Sequence, residues 1–203
     1  MTLRRLSAYA ATGSGRSVVV LLCTLALKVR FAFYQARVGR RFSARGRVRM
    51  HVDPSGQLSI GDDCRMNSGF LCNPVGGSLR MGVWIGPGAS LSIGHRVGIS
   101  NSTIVCMDNI TIEDDVFIGG DCKIYDTDFH SLSAAQRIRP PDRGARTAPV
   151  VVKARAFIGG HSLILKGTTI GEEAVIGAAS VVTGDVPSRE VWAGNPARFL
   201  RRL

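Results

Sequence analysis

The sequence predicts an all-β protein built as a parallel β-helix, and two of its features support that prediction. β-Branched residues recur at every sixth position, which matches neither the 3.6-residue period of a helix nor the alternation of a single strand. Glycine is abundant, at 24 of 203 residues, whereas aromatic residues make up only 6% of the chain. This composition suits short strands joined by many tight corners and argues against a helical bundle.

The six-residue repeat is clearest in the C-terminal half of the chain. It places a β-branched residue without a break at Val152, Ile158, Ile164, Ile170, Ile176 and Val182. Shorter runs with the same spacing are Ile93, Ile99 and Val105, and Ile112, Ile118 and Ile124. A chain wound as a triangular prism explains the period, because each flat side is a short strand that sends one branched side chain inward. Three sides make one coil, and successive coils stack by parallel hydrogen bonding.

Residues 1–48 stand apart as a basic, partly apolar arm that we expect to be helical. Residues 1–50 contain eleven Lys or Arg and no Asp or Glu, so the whole net charge of +11 arises there. Such an arm favours an anionic surface, and the apolar run at residues 18–27 favours lipid over nucleic acid. The run is too short to cross a bilayer, and basic residues rather than a cleavage site follow it. Two interpretations stay open, a helix packed on the domain and a helix lying at a membrane surface.

Residues 49–187 are predicted to form the β-helix, interrupted by a loop extruded at residues 125–149. That loop contains adjacent prolines and four arginines: Arg137, Arg139, Arg143 and Arg146. Long ordered loops on rigid scaffolds often carry function. Residues 188–203 are predicted to form a turn followed by a short C-terminal helix.

Cysteine and histidine usage restricts the kinds of site to expect. Five cysteines without a CxxC pair suit a reduced cytoplasmic protein in which thiols fill small apolar spaces. The four histidines lack the spacing of a zinc motif, so we expect no metal. His161 follows a corner glycine and is expected to be structural, whereas His51 and His95 are expected at the surface.

Three segments resemble a known family, the hexapeptide-repeat acyltransferases. They are IYDTDFHSL (124–132), the ladder VVVKARAFIGGHSLILKGTTIGEEAVIGAASVVTGDVP (150–187), and AGNPARFL (193–200). A fourth segment, MNSGFLCNP (66–74), resembles members that act on cell-surface polysaccharides. The resemblance covers most of residues 50–203. It implies a left-handed β-helix, coenzyme A-dependent O-acyl transfer, and a homotrimer with active sites between neighbouring prisms.

His130 is the candidate catalytic residue. A thioester is already activated, so acyl transfer requires a base for the attacking hydroxyl rather than a protein nucleophile, and a neutral imidazole suits that task. His130 lies where the ladder gives way to the loop, and the resemblance assigns it the catalytic role. Asp126 and Asp128 are the acidic neighbours expected to hold its tautomer. A cysteine nucleophile at position 106 or 122 is the weaker alternative, because core filling explains both thiols better.

The resemblance also places coenzyme A contacts on two small residues and three polar ones: Gly160, Ala178, Thr183, Arg198 and Arg201. Small residues allow the pantetheine arm to approach the backbone, and basic side chains meet phosphates. The sequence departs from the family at Gly184, where a lysine is common, and one phosphate contact is therefore in doubt.

These observations predict an acetyl-coenzyme A-dependent O-acetyltransferase acting on a sugar hydroxyl of a cell-surface polysaccharide or its precursor. We expect it in the cytoplasm, with peripheral membrane contact through residues 1–48 and no nucleic-acid partner. Three alternatives remain open. They are N-acetylation of a nucleotide amino sugar or a small antibiotic, a non-enzymatic β-helix scaffold, and a metal-dependent hydratase.

Overall fold

The computed structural model describes residues 13–139 and 144–203, with side chains from residue 18 onward. The described residues form a β-helix of triangular cross-section, in which each coil contributes a short strand to each of three parallel-stranded sheets. Apolar side chains fill the interior of the prism. The predicted all-β class is therefore confirmed. Residues 1–12 of the arm, and Arg143 and the two prolines of the loop, lie outside the described residues.

Each side of the prism is one sheet, named here A, B and C. Sheet A contains β1 (Arg37–Val38), β4 (Gln57–Ile60), β7 (Ser90–Ile93), β10 (Asn109–Ile112), β13 (Val150–Val152) and β16 (Thr169–Ile170). Sheet B contains β2 (Ser43–Arg45), β5 (Arg65–Asn67), β8 (Gly98–Ser100), β11 (Phe117–Ile118), β14 (Phe157–Ile158), β17 (Val175–Ile176), β19 (Glu190–Ala193) and β20 (Arg198–Arg202). Sheet C contains β3 (Arg49–Val52), β6 (Gly82–Ile85), β9 (Thr103–Cys106), β12 (Lys123–Tyr125), β15 (Leu163–Ile164) and β18 (Val181–Val182). Two helices accompany them in the described residues, α1 (Gly13–Phe33) and α2 (Ala134–Arg137).

In-register pairing superposes the residues of the six-residue ladder. Ile124 of β12 pairs with Ile164 of β15, which in turn pairs with Val182 of β18. Each of these side chains is at most 1% exposed. Full burial of such a side chain stabilises a fold by about 1.5–3 kcal/mol, so the stacked columns constitute the main hydrophobic core.

The prediction that Val105 points into the prism is wrong. Ile104 points into the prism and pairs with Ile124, whereas Val105 faces outward. Five residues separate Ile99 from Ile104, whereas six separate Ile118 from Ile124, their partners in the next coil. A shift of one residue in a strand exchanges the inward and outward faces, and this explains the difference.

The first coil starts earlier than the repeat indicated. β1 and β2 lie inside the segment that we expected to be a separate helical arm, yet β1 pairs with β4 and β2 pairs with β5. Phe42 and Ala44 are buried there at 3% and 0% exposure. Phe42, Ala44 and Met50 occupy inward positions of this coil without being β-branched, and the six-residue pattern therefore did not reveal it.

Helix α1 packs across the open end of this first coil. Leu27 and Phe31 are buried against it. The hydroxyl of Thr24 accepts a hydrogen bond from the backbone N–H of Ala44 at 2.9 Å. Arg30 donates to the carbonyl oxygens of Val48 and Met50 at 3.1 and 2.8 Å. The helix thus acts as a cap, which is the first of the two interpretations left open. Among the described residues, no helix is long and apolar enough to cross a bilayer.

Charged residues of alternating sign ascend the corner between sheets A and B. The column consists of Arg41, Asp63, Arg96, Asp115, Arg155, Glu173 and Arg189. All seven have φ between 54° and 61°, the left-handed conformation that each corner requires. Arg96 Nε lies 2.6 Å from Asp115 Oδ1, and Arg155 Nε lies 2.9 Å from Glu173 Oε1. The column therefore links successive coils by ion pairs on the surface.

The predicted C-terminal helix is wrong. Residues 198–202 form strand β20, which pairs antiparallel with β19. The last coil of a β-helix ends in a strand with unpaired backbone groups, and β20 covers those of β19. The Ala197 N–H also donates to the Val181 carbonyl at 2.8 Å, which holds the returning chain against the prism.

Candidate active site

Two loops frame the outward face of sheet C. Residues 68–81 leave the prism between β5 of sheet B and β6 of sheet C. Residues 126–149 leave it between β12 of sheet C and β13 of sheet A. The first loop is fastened by the buried Asn101, whose amide group donates to the carbonyls of Asn73 and Val75 at 2.8 and 2.6 Å. Sheet C is consequently the side of the prism that both excursions border.

The base of the second loop is fixed by Asp126, which is fully buried. Its two carboxylate oxygens accept backbone N–H bonds from Met107 and Asp108 of the preceding coil, at 2.7 and 2.8 Å. One residue farther on, Thr127 and Thr147 form an antiparallel bridge that closes the loop at its base. Both ends of the loop are therefore held at its base. As a result, the residues that follow Asp126 leave the prism at a fixed place.

Beyond this base the chain turns sharply before His130. Phe129 has φ of 64°, an uncommon conformation for a residue with a bulky side chain, and such strain is concentrated at functional sites. Its ring makes an edge contact with Tyr125, with 5.0 Å between centroids. Asp128 lies 3.4 Å from the Lys166 ammonium group. His130 follows with an exposed side chain. The three predicted catalytic residues, which lie within five positions of one another, therefore all follow β12 at one edge of sheet C.

A largely apolar groove of about 600 Å³ runs along sheet C to the same loop. Its lining includes His51, Trp84, Val105, Met107 and Phe129. The His51 and Trp84 rings stack with 4.0 Å between centroids, and Trp84 remains 50% exposed. Phe129 connects the groove to His130, because the two residues are adjacent in the chain.

Sequence reasoning missed this groove. His51 was expected only as a surface residue, and Trp84 was not considered. Both occupy outward positions in strands whose burial alternates, β3 and β6, and they pair with each other across those strands. The alternation was a detectable signal for each residue, but only the pairing of strands 33 positions apart makes them neighbours.

Three of the predicted coenzyme A residues lie near one corner, between sheets B and C. Gly160 and Ala178 occupy successive coils there, and the Ala179 N–H donates to the Gly160 carbonyl at 2.9 Å. Arg198 pairs with Ala193, which lies above the same corner, and its side chain is exposed. Thus two small residues and one guanidinium group are close together, as a pantetheine arm ending in phosphates requires.

The other two predicted cofactor residues lie elsewhere. Thr183 follows β18 at the opposite edge of sheet C, on the side from which the loop of His130 departs. Arg201 pairs with Val191 and belongs to sheet B. At Gly184, where the family often has a lysine, an added Cβ would meet nothing within 4 Å. Among the described residues, no neighbour therefore takes the place of that lysine. The residues present fit coenzyme A at the corner of Gly160, but the structure does not unite all five.

The buried cysteines are not suited to be nucleophiles. Burial, reinforced by the negative charge of Asp126, raises the pKa of Cys106 to about 12. Burial also raises the pKa of Cys122. A thiol in this state is protonated at neutral pH and reacts slowly. Both side chains are fully buried in the prism and fill space there.

The remaining histidines and acidic groups belong to corners. His161 Nδ1 lies 3.2 Å from Asp121 Oδ2, and His95 Nδ1 accepts a hydrogen bond from the Asp62 N–H at 2.9 Å. Within residues 13–139 and 144–203, no three His, Cys, Asp or Glu side chains are grouped as metal ligands.

A family model described as the hexapeptide repeat of succinyl-transferase matches residues 149–184. These are the residues of the unbroken ladder and of the corner at Gly160. Those residues therefore carry the hexapeptide repeat that the sequence resemblance predicts.

Sequence relatives match this hexapeptide-repeat protein over part of their length. Relatives from Staphylococcus aureus are 41% identical over 58 residues, and the match spans only 29% of their length. The galactoside O-acetyltransferase of Escherichia coli strain K12 is 32% identical over 127 residues, which cover 59% of this chain and 61% of that enzyme. The chain thus spans less than two thirds of these relatives.

Solved structures share the fold over most of the hexapeptide-repeat protein. The N-acyltransferase AntD from Bacillus cereus, in complex with dTDP and 3-hydroxybutyryl-CoA, superposes with a TM-score of 0.65 at 18% identity and covers 87% of each chain. The polySia-specific acetyltransferase NeuO gives a TM-score of 0.53 at 23% identity, over 83% of this chain and 76% of NeuO. At such identities the likeness establishes the fold, and it confirms the left-handed β-helix.

Proposed function

We propose that the protein transfers an acetyl group from acetyl-coenzyme A to a sugar hydroxyl of a cell-surface polysaccharide or its precursor. The observation that carries the proposal is the position of His130. It lies on a loop whose base is fixed by the buried Asp126, at the end of an aromatic groove on sheet C. The likeness to the galactoside O-acetyltransferase and to the polySia-specific NeuO supports a sugar hydroxyl as the acceptor.

In the proposed reaction His130 takes the proton of the sugar hydroxyl as the hydroxyl oxygen attacks the thioester carbonyl carbon. A backbone N–H stabilises the oxyanion that forms. The carbon–sulfur bond then breaks, and the proton on His130 passes to the leaving thiolate. The products are an acetyl ester and coenzyme A. Asp126 acts as a positioning residue, since backbone N–H groups already occupy both carboxylate oxygens. Asp128 is the acidic group beside the base.

Coenzyme A is expected to approach from the corner of Gly160, with Ala178 beside the pantetheine arm and Arg198 at a phosphate. Thr183 would then lie nearer the acetyl end, and Arg201 would contribute a further charge from sheet B. The corner of Gly160 and the loop of His130 lie at opposite edges of sheet C. Within one copy of the protein they are therefore separated by the length of a strand, about 13 Å.

A homotrimer would remove this separation, because the loop of one prism can meet the cofactor corner of its neighbour. The outward face of sheet B supports such packing. Phe117 and Phe157 pair in register there and are 59% and 47% exposed. Flat sheet faces with stacked aromatic side chains suit contact between identical copies.

N-Acylation of an amino sugar carried by a nucleotide is a second candidate. The structural likeness to AntD, an N-acyltransferase solved with dTDP, favours it. The two candidates differ in product, because an O-acetyl ester is released by mild base or hydroxylamine and an amide is not.

Mass spectrometry of the surface polysaccharide from cells with and without the protein tests the proposal. We expect a difference of one acetyl group per repeating unit, which mild base removes. A base-stable acetyl group would favour N-acylation instead. If neither acetyl group is found, and the purified protein releases no coenzyme A from acetyl-coenzyme A with any sugar acceptor, the proposal is wrong and the scaffold alternative stands.

A further inference from the structure

Helix α1 has two apolar faces, and the cap uses only one of them. The inner face, formed by Thr24, Leu27, Arg30 and Phe31 and continued by Tyr34 directly after the helix, lies on the first coil. These positions are separated by three or four residues and therefore form one stripe of the helix. The helix is held to the prism through this stripe by hydrogen bonds as well as apolar contacts.

The outer face carries a second stripe with the same spacing. Its members are Val18, Leu21, Leu22, Leu25, Val29 and Phe33. Leu21 is 65% exposed and Phe33 is 80% exposed. The two stripes are centred on opposite sides of the helix, since residues 25 and 29 lie about 160° from Leu27 at 100° per residue. A continuous exposed apolar stripe of this length requires an apolar partner.

Exposed basic side chains occur on α1 and on the first coil that it caps. Lys28 is exposed on the flank of α1. Arg45, Arg47 and Arg49 alternate with the buried residues of the first coil and are also exposed. No acidic residue occurs in the first 52 positions of the chain, so nothing in this segment neutralises them. This end of the prism thus carries exposed positive charge.

We infer that this end of the prism docks on an anionic lipid bilayer, with the outer stripe of α1 lying in the interface. A helix with an apolar stripe and flanking Lys or Arg inserts shallowly among lipid headgroups, and each basic residue near the surface adds attraction to anionic lipid. The inner stripe remains on the prism, so one face of the helix caps the prism while the opposite face docks on the bilayer. The helix lies on the bilayer, because its inner face is occupied by protein.

Docking in this orientation places the groove at the bilayer, a consequence that rests on the proposed function. Strand β3 belongs to the first coil, and its residues Arg49, Met50 and His51 line one end of the groove. Phe129, next to His130, lines it as well. The groove therefore leads from the docked end toward the candidate base, which suits an acceptor carried on a lipid.

Sedimentation of the full-length protein with lipid vesicles tests the docking without reference to catalysis. We expect binding to phosphatidylcholine vesicles that contain phosphatidylglycerol, weak binding to phosphatidylcholine alone, and a decrease at high salt. The variant Leu22→Gln/Leu25→Gln should reduce partitioning about tenfold or more, because two apolar side chains no longer enter the interface. The variant Arg45→Gln/Arg47→Gln should reduce it at low salt by about fivefold for each charge removed.

Matched controls are available at the opposite end of the prism, where β20 is the last strand of sheet B. Leu200 and Leu203 are 60% and 52% exposed, so Leu200→Gln/Leu203→Gln removes equivalent apolar surface far from α1. Arg189→Gln/Arg202→Gln removes two charges from that end. Both control variants should bind anionic vesicles as the unaltered protein does.

Circular dichroism and gel filtration accompany the sedimentation. The leucines exchanged on α1 are exposed, so the melting temperature should stay unchanged. Unchanged vesicle binding by Leu22→Gln/Leu25→Gln would overturn the inference, as would equal binding to uncharged vesicles. A smaller oligomer in that variant would also overturn it, because the outer stripe would then be a contact between copies of the chain.

Discussion

The two aspartates before His130 differ in what they contact, although both are expected as its acidic neighbours. Asp126 is fully buried and binds two backbone N–H groups of the preceding coil. Asp128 is partly exposed and lies beside Lys166. The first therefore fixes where the loop begins, whereas the second contributes charge two residues before the proposed base, His130. Substitutions should separate positioning from electrostatics at this site.

Replacement of His130 tests the base directly. His130→Ala should lower kcat by about 10²- to 10⁴-fold, the usual contribution of a general base, and leave the Kd for coenzyme A nearly unchanged. Steady-state kinetics and calorimetric titration measure the two quantities. His95→Ala removes an imidazole from the distant corner between sheets A and B and should retain full turnover. Turnover by His130→Ala equal to that of the control would exclude His130 from the mechanism.

Replacement of Asp126 tests the positioning role. In Asp126→Asn an amide NH₂ replaces one of the two acceptor oxygens and leaves a buried N–H unpaired, which costs about 1–3 kcal/mol. We expect Tm to fall by about 5 °C in a chain of this size, together with a loss of turnover. In Asp128→Asn the partly exposed contact with Lys166 is lost, and Tm should change by less than about 2 °C. Equal melting temperatures for the two variants would contradict the assignment.

At the scale of an element, the corner column of alternating charges links the coils. Each member adopts a positive φ, and all but Arg189 follow a strand of sheet A. Arg96 holds Asp115 through two side-chain hydrogen bonds, at 2.6 and 2.7 Å. These hydrogen bonds lower the pKa of the Asp115 carboxyl below its usual value. The column therefore makes the stability of the β-helix depend on pH.

The direction of that dependence can be predicted for Arg96→Gln. A carboxyl with a lowered folded-state pKa adds stability above its unfolded-state pKa, near 4, and loses it as the pH falls through the folded value. The variant should therefore melt about 2 °C below the unaltered protein at neutral pH, and the difference should vanish in acid. Arg80→Gln removes an exposed arginine outside the column and should show no pH-dependent difference. A gap for Arg96→Gln that persists at low pH would refute the linkage.

On the scale of the whole molecule, the two ends of the prism are closed differently. Helix α1 covers the interior and backbone of the first coil, whereas β20 covers the edge of β19. A β-helix without such covers exposes apolar interior and unpaired strand groups to water. Closing both ends therefore removes such exposed groups from the two ends of the prism.

Truncation of the chain tests the cap. Deleting residues 1–36 removes α1 but keeps β1, and it exposes the first coil that Leu27 and Phe31 cover. Since loss of a buried Leu or Phe side chain costs about 2–5 kcal/mol, we expect Tm to fall by about 10 °C or more, with aggregation. Thermal melts and light scattering measure these effects. Deleting residues 1–45 should be more severe, because β1 and β2 are also lost. An unchanged Tm after removal of α1 would show that the helix does not stabilise the prism.

The sequence alone was enough to predict the architecture, since the six-residue period places one inward side chain on each side of a coil. The ladder from Val152 to Val182 identified inward positions correctly because each strand repeats the same alternation. The family resemblance of the segment 126–130 likewise singled out His130, and its role as the base stays a prediction. Where inward positions are not β-branched, as at Phe42 and Ala44, or where a side of the prism is one residue short, as before Ile104, this local signal failed.

Tertiary structure decided which residues meet across coils. Neighbours along the prism are separated by about 18 residues or by more where a loop intervenes, so pairs such as His51 with Trp84, or Arg96 with Asp115, are not apparent in the sequence. The same holds for α1. The sequence showed apolar residues on all sides of the helix over residues 18–27. Only the contacts of α1 with the first coil distinguish the face that caps the prism from the face left exposed. Burial depends on what the rest of the chain places opposite a side chain, and that is a property of the fold.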